Sequence, residues 1–139
     1  MREYKLKDIY KGLSESIEVK ITPELENKFR DITQDLNLLH IDDEFANEIL
    51  GSNKGHAAFG MLTASFLSTL AGMYLPGRYS LIHSVEVSFI KPVYAGDILI
   101  IKGVVDEIYE ELRMIKLKVN ICRLDEVVCK AKMKVLVMK

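Results

Sequence analysis

With 139 residues, the chain has the usual length of one domain, and a single core of this size buries most of its apolar surface. Its 49% hydrophobic and 28% charged residues are typical of a globular protein and exclude a disordered chain. A formal net charge of −1 provides no broad positive field, which excludes non-specific binding to nucleic acid.

The N-terminal residues MREYKLKDIY are charged throughout and lack the apolar segment of a secretory signal, so we expect the protein in the cytosol. The two cysteines, Cys122 and Cys129, form no CxxC pair and have no histidine at metal-ligand spacing. We therefore expect two reduced, buried thiols and no metal site.

The first half of the chain predicts one strand followed by three helices. Apolar and polar residues alternate over residues 14–21, which indicates a strand. Thr22, followed by a proline and an acid, is a typical helix start and predicts a helix over residues 23–32. Asp42 and the two acids after it open a short helix through residue 49. A glycine-rich loop then leads to a long helix over residues 58–74, which Pro76 and Gly77 end.

This long segment is apolar on nearly all sides. Its length permits a membrane-spanning helix, but its many small and hydroxyl residues and the strand-rich chain around it favour a helix buried in the core. Apolar and polar residues then alternate over residues 79–90, 98–109, 113–122 and 127–138, with a turn at 93–97. We predict an α+β domain of about five strands, with a curved antiparallel sheet around one long central helix.

A carboxylate, an amide and an imidazole lie close together at Asp35, Asn37 and His40, between two predicted helices. Asp35 and His40 at this spacing can share one water molecule and move its proton, and Asn37 can fix the loop backbone or orient a substrate. The alternative is structural, because Asp and Asn favour turns and a histidine after two leucines often belongs to the core.

A second candidate is Gly60, near the start of the long helix. Free backbone N–H groups at a helix start stabilise an oxyanion, and a glycine lets a carbonyl group approach them. The alternative is that Gly60 only allows a strand to pack closely on the helix.

Four ordered segments together resemble the MaoC-like dehydratase family, which includes (R)-specific enoyl-CoA hydratases. They are DLNLLHID at residues 35–42, FGMLTAS at 59–65, LPG at 75–77 and SFIKPVYAGD at 88–97. The resemblance implies a hot-dog fold and a homodimer, with sheets joined edge to edge; long apolar strands such as residues 98–105 offer such edges. It implies no cofactor, with CoA or an acyl carrier protein as the carrier of the substrate.

By the same resemblance, Asp35 and His40 would activate water for addition to a trans-2-enoyl thioester, and the Gly60 N–H would hold the enolate oxygen. Ser65 or Ser68 would orient Asp35 through a hydrogen bond, unless both bond to helix carbonyls instead. Substrate contacts are expected from the following residues: Asn37, Phe59, Met61, Ser65 and Ser68.

The sequence departs from the family pattern at three positions, the first of which is Gln34, where a glycine often precedes the aspartate. Leu38 stands where the family has proline, so the turn loses a fixed φ angle, and Phe59 replaces the usual histidine before Gly60. Two other functions therefore remain open. The first is a thioesterase, which would need a carboxylate on or facing the central helix, but residues 57–75 contain no Asp or Glu. The second is a non-catalytic subunit that binds acyl thioesters or stabilises a partner. In such a subunit, Asp35 and His40 would lie apart, or side chains such as Phe59 and Met61 would fill the pocket.

Overall fold

The computed structural model shows three helices before the four C-terminal strands. The helices are α1 (Pro23–Thr33), α2 (Asp43–Leu50) and α3 (Gly60–Thr69), and α3 continues as one π-helical turn over Leu70–Tyr74. The strands are β1 (Ser14–Lys20), β2 (Ser80–Phe89), β3 (Ile98–Tyr109), β4 (Met114–Arg123) and β5 (Glu126–Val137). All five join one antiparallel sheet in the order β1-β3-β4-β5-β2.

The core lies between this sheet and α3. Strand alternation turns one face of the sheet inward, where side chains such as Leu99, Ile101 and Leu117 are fully buried. They pack against the end of the central helix, including Leu70. Gly103 of β3 permits this approach, because a Cβ atom there would lie 2.9 Å from Leu70 Cδ2. The predicted α+β sheet around a central helix is confirmed.

Local capping explains where the first helices begin and end. The Thr22 side chain accepts a hydrogen bond from Leu25 N, and the Asp42 side chain accepts one from Phe45 N. α2 ends at Gly51, whose φ of 61° is in the left-handed region that favours glycine. Both predicted helix starts are thus confirmed, and their ends agree to within a residue.

Two expectations about the central helix and the sheet edges need correction. α3 is not buried on all sides as predicted, because Met61, Ser65 and Ser68 on one of its faces are exposed. The apolar strand β3 is not an edge, because it lies between β1 and β4. The two edge strands of the sheet are β1 and β2. On β2, Leu81, Val85 and other apolar side chains are exposed.

No helix combines the length and the apolar character needed to cross a membrane. Leu67, Leu70 and Ala71 of the long apolar segment belong to the hydrophobic core.

Candidate active site

A cavity of about 260 Å³ opens where the 38–40 turn, the start of α3 and the end of β2 meet. His40 and Gly60 both line it, so the fold brings these two predicted residues to one cavity. The other lining residues are mostly apolar, and the polar side chains among them include Thr63 and Lys91. An apolar cavity with a few convergent polar groups is the usual form of a small-molecule site.

The ring of His40 has a defined orientation. Its Nδ1 lies 2.8 Å from the carbonyl oxygen of Ala57. Because a carbonyl oxygen only accepts, Nδ1 carries the proton in the neutral ring and Nε2 keeps its lone pair. The ring also packs on Phe59, with 4.4 Å between the ring centroids. His40 is thus a half-buried imidazole prepared to accept a proton at Nε2.

Backbone hydrogen bonds fix the turn that carries His40. Ala57 N donates to Leu39 O at 3.0 Å, so the segment before α3 holds the turn through both its N–H and its carbonyl. Asn37 caps the turn, since its Oδ1 accepts from Leu39 N at 2.9 Å. Asn37 thus fixes the loop backbone, which is one of the two roles considered for it. Its side chain is exposed and does not line the cavity.

Asp35 lies outside the cavity. Its carboxylate is exposed and accepts a hydrogen bond from Asn37 N at 3.0 Å. No hydrogen bond or salt bridge joins it to His40, whose ring nitrogen bonds to Ala57 instead. Within one chain, the Asp35 carboxylate therefore stabilises the turn, which was the structural role considered for it. That Asp35 and His40 share a water molecule stays a prediction.

Gly60 serves both of the roles considered for it. As the first residue of α3 it presents an N–H group that has no acceptor within the helix. A Cβ atom at this position would lie 3.0 Å from Cε1 of Phe89, so the glycine also lets β2 pack closely on the helix. The same small residue opens the cavity next to the free N–H.

The remaining predicted residues do not line this cavity, and helical periodicity explains why. Met61, Ser65 and Ser68 follow one another at helical spacing on the face of α3 opposite to Gly60 and Thr63. They line a separate groove between α3 and β2. The predicted bond from a serine to Asp35 is wrong for Ser65, whose hydroxyl donates to the Leu62 carbonyl at 2.6 Å. No hydrogen bond joins Ser68 to Asp35 either.

Phe59 also differs from its predicted position in the pocket wall. It is only 2% exposed and lies behind His40, where it packs on Phe29 at a centroid distance of 5.2 Å. The guanidinium of Arg30 lies 5.8 Å from the centre of the Phe59 ring. Neither Phe59 nor Met61 fills the cavity, so the filled pocket that a non-catalytic subunit would show is absent.

Thr63 was not among the predicted site residues, but it lines the cavity one turn after Gly60. Thr63 is 1% exposed, and its hydroxyl oxygen has no hydrogen-bond partner. An unpaired buried hydroxyl costs free energy that a polar ligand or water can recover. The spacing of three residues from Gly60 along one helix face was the signal that could have identified it.

A second group missed by the sequence is His56, four residues before α3. Its Nδ1 lies 2.7 Å from Asp43 Oδ1, and its Nε2 lies 3.4 Å from the buried carboxylate of Glu26. The hydrogen bond to Asp43 is the main cause that raises the pKa of His56, and partial burial opposes it. The pKa of Asp43 is lowered, mainly because its carboxylate accepts a hydrogen bond from the His56 backbone N–H and also because it contacts the His56 ring. These residues are far apart in sequence, so no local pattern indicated the cluster.

Comparison with known proteins finds a matching family model and several named relatives. The family model described as the MaoC-like domain matches residues 6–126. A 3-hydroxybutyryl-CoA dehydratase of Methylorubrum extorquens is 32% identical over 129 residues, which cover 92% of this chain and 80% of the relative. An (R)-specific enoyl-CoA hydratase of Aeromonas caviae is 38% identical over 69 residues, half of each chain.

Solved structures show the same fold. The (R)-hydratase from Aeromonas caviae involved in PHA biosynthesis superposes with a TM-score of 0.86 at 24% identity, over 94% of this chain and 98% of the other. The R-hydratase PhaJ1 of Pseudomonas aeruginosa gives a TM-score of 0.87 at 19% identity, over 97% of this chain and 86% of the other. The fold is the hot-dog fold, and the named relatives support a hydro-lyase activity. The family model covers most of the chain and the dehydratase matches nearly all of it, so the chain belongs to the MaoC-like domain family.

Proposed function

We propose that the protein catalyses the (R)-specific addition of water to trans-2-enoyl thioesters, or the reverse dehydration of 3-hydroxyacyl thioesters. The observation that carries the proposal is the shared cavity of His40 and Gly60, in which Nε2 of His40 has no hydrogen bond within the chain and Gly60 is the first residue of α3. The relatives named as dehydratase and hydratase support the reaction class. CoA or an acyl carrier protein would carry the acyl group, and the chemistry needs no cofactor.

In the proposed reaction, His40 takes a proton from water as the water oxygen bonds to C3 of the enoyl group. The electrons of the C2–C3 double bond move toward the thioester oxygen, which becomes an enolate held by the Gly60 N–H. The proton then passes to C2, and the product is the 3-hydroxyacyl thioester. Removal of one such oxyanion donor typically costs about 3 kcal/mol in barrier height.

We propose that Asp35 holds the second hydrogen of the attacking water. The carboxylate belongs to the same short loop as His40 and is exposed, so it is free to bind water between the two residues. No carboxylate lines the cavity itself, which counts against a thioesterase that attacks through an acid on the central helix.

We further propose that the protein acts as a homodimer joined through β2. One side of β2 pairs with β5, and its other side has no partner within the chain. Val85 and Ile82 are exposed on this strand and line the apolar groove that also contains Met61. An unprotected apolar edge strand favours pairing with a second copy. Light scattering after gel filtration tests this, and a monomeric mass for the wild type would contradict it.

The loss of enoyl absorbance with crotonyl-CoA and longer trans-2-enoyl-CoAs tests the activity. We expect turnover by the wild type and a large loss in His40→Ala and Asp35→Asn. Asp125→Asn is the matched control for Asp35→Asn, since Asp125 is an exposed carboxylate between β4 and β5, outside the cavity and outside β2, and should keep full activity. Chiral analysis of the hydrolysed product should give the (R)-3-hydroxy acid.

Absence of turnover with every chain length and both carriers would contradict the proposal. If the protein still bound the thioesters, the result would favour the non-catalytic binding subunit.

A further inference from the structure

The strongest feature that the proposed reaction leaves unused is the contact of His56 with carboxylates from two helices. We propose that His56 is a positioning residue, which holds the segment before α3 against α1 and α2 and thereby fixes the carbonyl that orients His40. The proposal rests on the proposed role of His40 as the base. It adds to that role a residue that does not line the cavity.

His56 is held to α2 through both its backbone and its ring. Its backbone N–H donates to Asp43 Oδ1 at 2.9 Å, and its ring Nδ1 lies 2.7 Å from the same oxygen. Asp43 is the first residue of α2, so these two bonds tie the loop to the start of that helix. On its other side the ring reaches α1, where Nε2 lies 3.4 Å from Glu26 Oε1.

The charges at this contact favour a protonated ring. Glu26 is only 3% exposed, and a buried carboxylate is costly unless it is paired. Both ring nitrogens of His56 face carboxylate oxygens, and only the imidazolium has an N–H on each nitrogen to donate to them. Asp43 of α2 and Glu26 of α1 are the charged groups that contact the ring, and together they outweigh partial burial and raise its pKa.

The residues on both sides of His56 are also fixed. Gly55 N donates to Asn47 Oδ1 at 2.8 Å, and a Cβ atom on Gly55 would lie 2.8 Å from Asp43 Oδ1, so the backbone fits directly against this carboxylate. The φ of 80° at Gly55 also favours glycine. After His56, Ala57 donates to Leu39 O and accepts from His40 Nδ1.

The connection to His40 is therefore short. The backbone of His56 is bonded to Asp43, and the next peptide group presents the Ala57 carbonyl to the His40 ring. That carbonyl decides which ring nitrogen of His40 carries the proton. Loss of the His56 contacts would let the carbonyl move and would weaken the preference for the Nδ1–H form, in which Nε2 is the free base.

The sign of the pH effect follows from the raised pKa of His56. The protonated form makes both carboxylate contacts, so the restraint is complete below the ordinary pKa of histidine, about 6.5. It weakens as the pH rises through the raised pKa in the folded protein. We expect the orientation of His40 to loosen over this same interval.

Ring ¹⁵N NMR tests the proposal without any need for activity. The chain has three histidines, so the signals are readily assigned with the variants His56→Ala and His83→Ala. In the wild type we expect the neutral ring of His40 to carry its proton on Nδ1, and we expect His56 to stay protonated on both nitrogens above the usual pKa of histidine. In His56→Ala, the His40 signals should shift toward a mixture with the Nε2–H form. His83→Ala should leave them unchanged.

Asp43→Asn provides a second variant in case His56→Ala does not fold. It keeps an oxygen that accepts the His56 backbone N–H but removes the negative charge, so the pKa of His56 should fall and the His40 signals should shift at a lower pH. Steady-state kinetics should then show a kcat lower by about 10- to 100-fold in His56→Ala, with a smaller change in KM.

Unchanged His40 signals in a folded His56→Ala protein would overturn the proposal, even if its kcat were lower. A wild type that turns over no enoyl thioester would instead contradict the proposed function. The shift of the His40 signals would still support the positioning role in that case.

Discussion

The unpaired hydroxyl of Thr63 leads to a prediction in which a substitution in the cavity wall raises stability. Thr63 is 1% exposed, and its hydroxyl oxygen has no hydrogen-bond partner, so the folded state bears the desolvation cost of that group. Thr63→Val replaces the hydroxyl with a methyl group of similar size, and the two residues have similar helix propensities. We expect the free energy of unfolding to increase by about 1–2 kcal/mol.

For a chain of this length, each kcal/mol corresponds to a shift of about 3 °C in Tm. Thermal and urea unfolding of the wild type and Thr63→Val measure the change directly. Thr63→Ser is the matched control, since it keeps the hydroxyl and removes the methyl group, and it should lower stability by about 1 kcal/mol. A Thr63→Val protein that is less stable than the wild type would refute the reasoning, because it would show that the hydroxyl has a partner in the folded protein.

Three other substitutions and one treatment have defined expectations. Gly103→Ala should lower the free energy of unfolding by about 1–3 kcal/mol in urea titrations, because the new Cβ would lie 2.9 Å from the buried Leu70 side chain. Gly60→Ala should mainly lower kcat/KM and should change the free energy of unfolding little, because the new Cβ would displace the half-exposed Phe89 ring that lines the cavity. Thr22→Ala should cost about 1 kcal/mol in thermal unfolding through loss of the α1 cap. Dialysis against a chelator should leave the rate of enoyl-CoA hydration unchanged.

The sequence predicted the elements well because each has a local physical signal. Thr22 with the proline after it determined the start of α1, and Asp42 determined the start of α2, through side-chain bonds that form within a few residues. The alternation of apolar residues predicted β3 at its observed bounds, Ile98–Tyr109, because one face of that strand is buried. The same alternation did not show that β3 is an inner strand, since strand order depends on the pairing of distant segments.

The site was predicted less completely, because its geometry depends on contacts between segments. The loop composition identified His40, and the small residue at the helix start identified Gly60. Thr63 lines the cavity and Met61 lines the other groove, because the two residues lie on different faces of α3. The sequence analysis did not compare helix faces and therefore did not distinguish them. The contact of His56 with Glu26 spans 30 residues and has no signature in a single sequence.

The departures from the family pattern at Leu38 and Phe59 have compensations in the surrounding structure. Leu38 lacks the fixed φ of proline, yet the turn forms, because Asn37 accepts a hydrogen bond from Leu39 N and Asp35 accepts one from Asn37 N.

Phe59 removes a polar ring before Gly60, but its own ring packs on His40 from behind and leaves Nδ1 bonded to the Ala57 carbonyl. Both departures therefore change what supports His40, and they leave its Nε2 without a hydrogen bond inside the chain, as the proposed reaction requires. The orientation of His40 depends on the packing of Phe59 and, as proposed, on the His56 contacts, and the activity should accordingly be more sensitive to substitutions behind His40 than to changes at the cavity mouth.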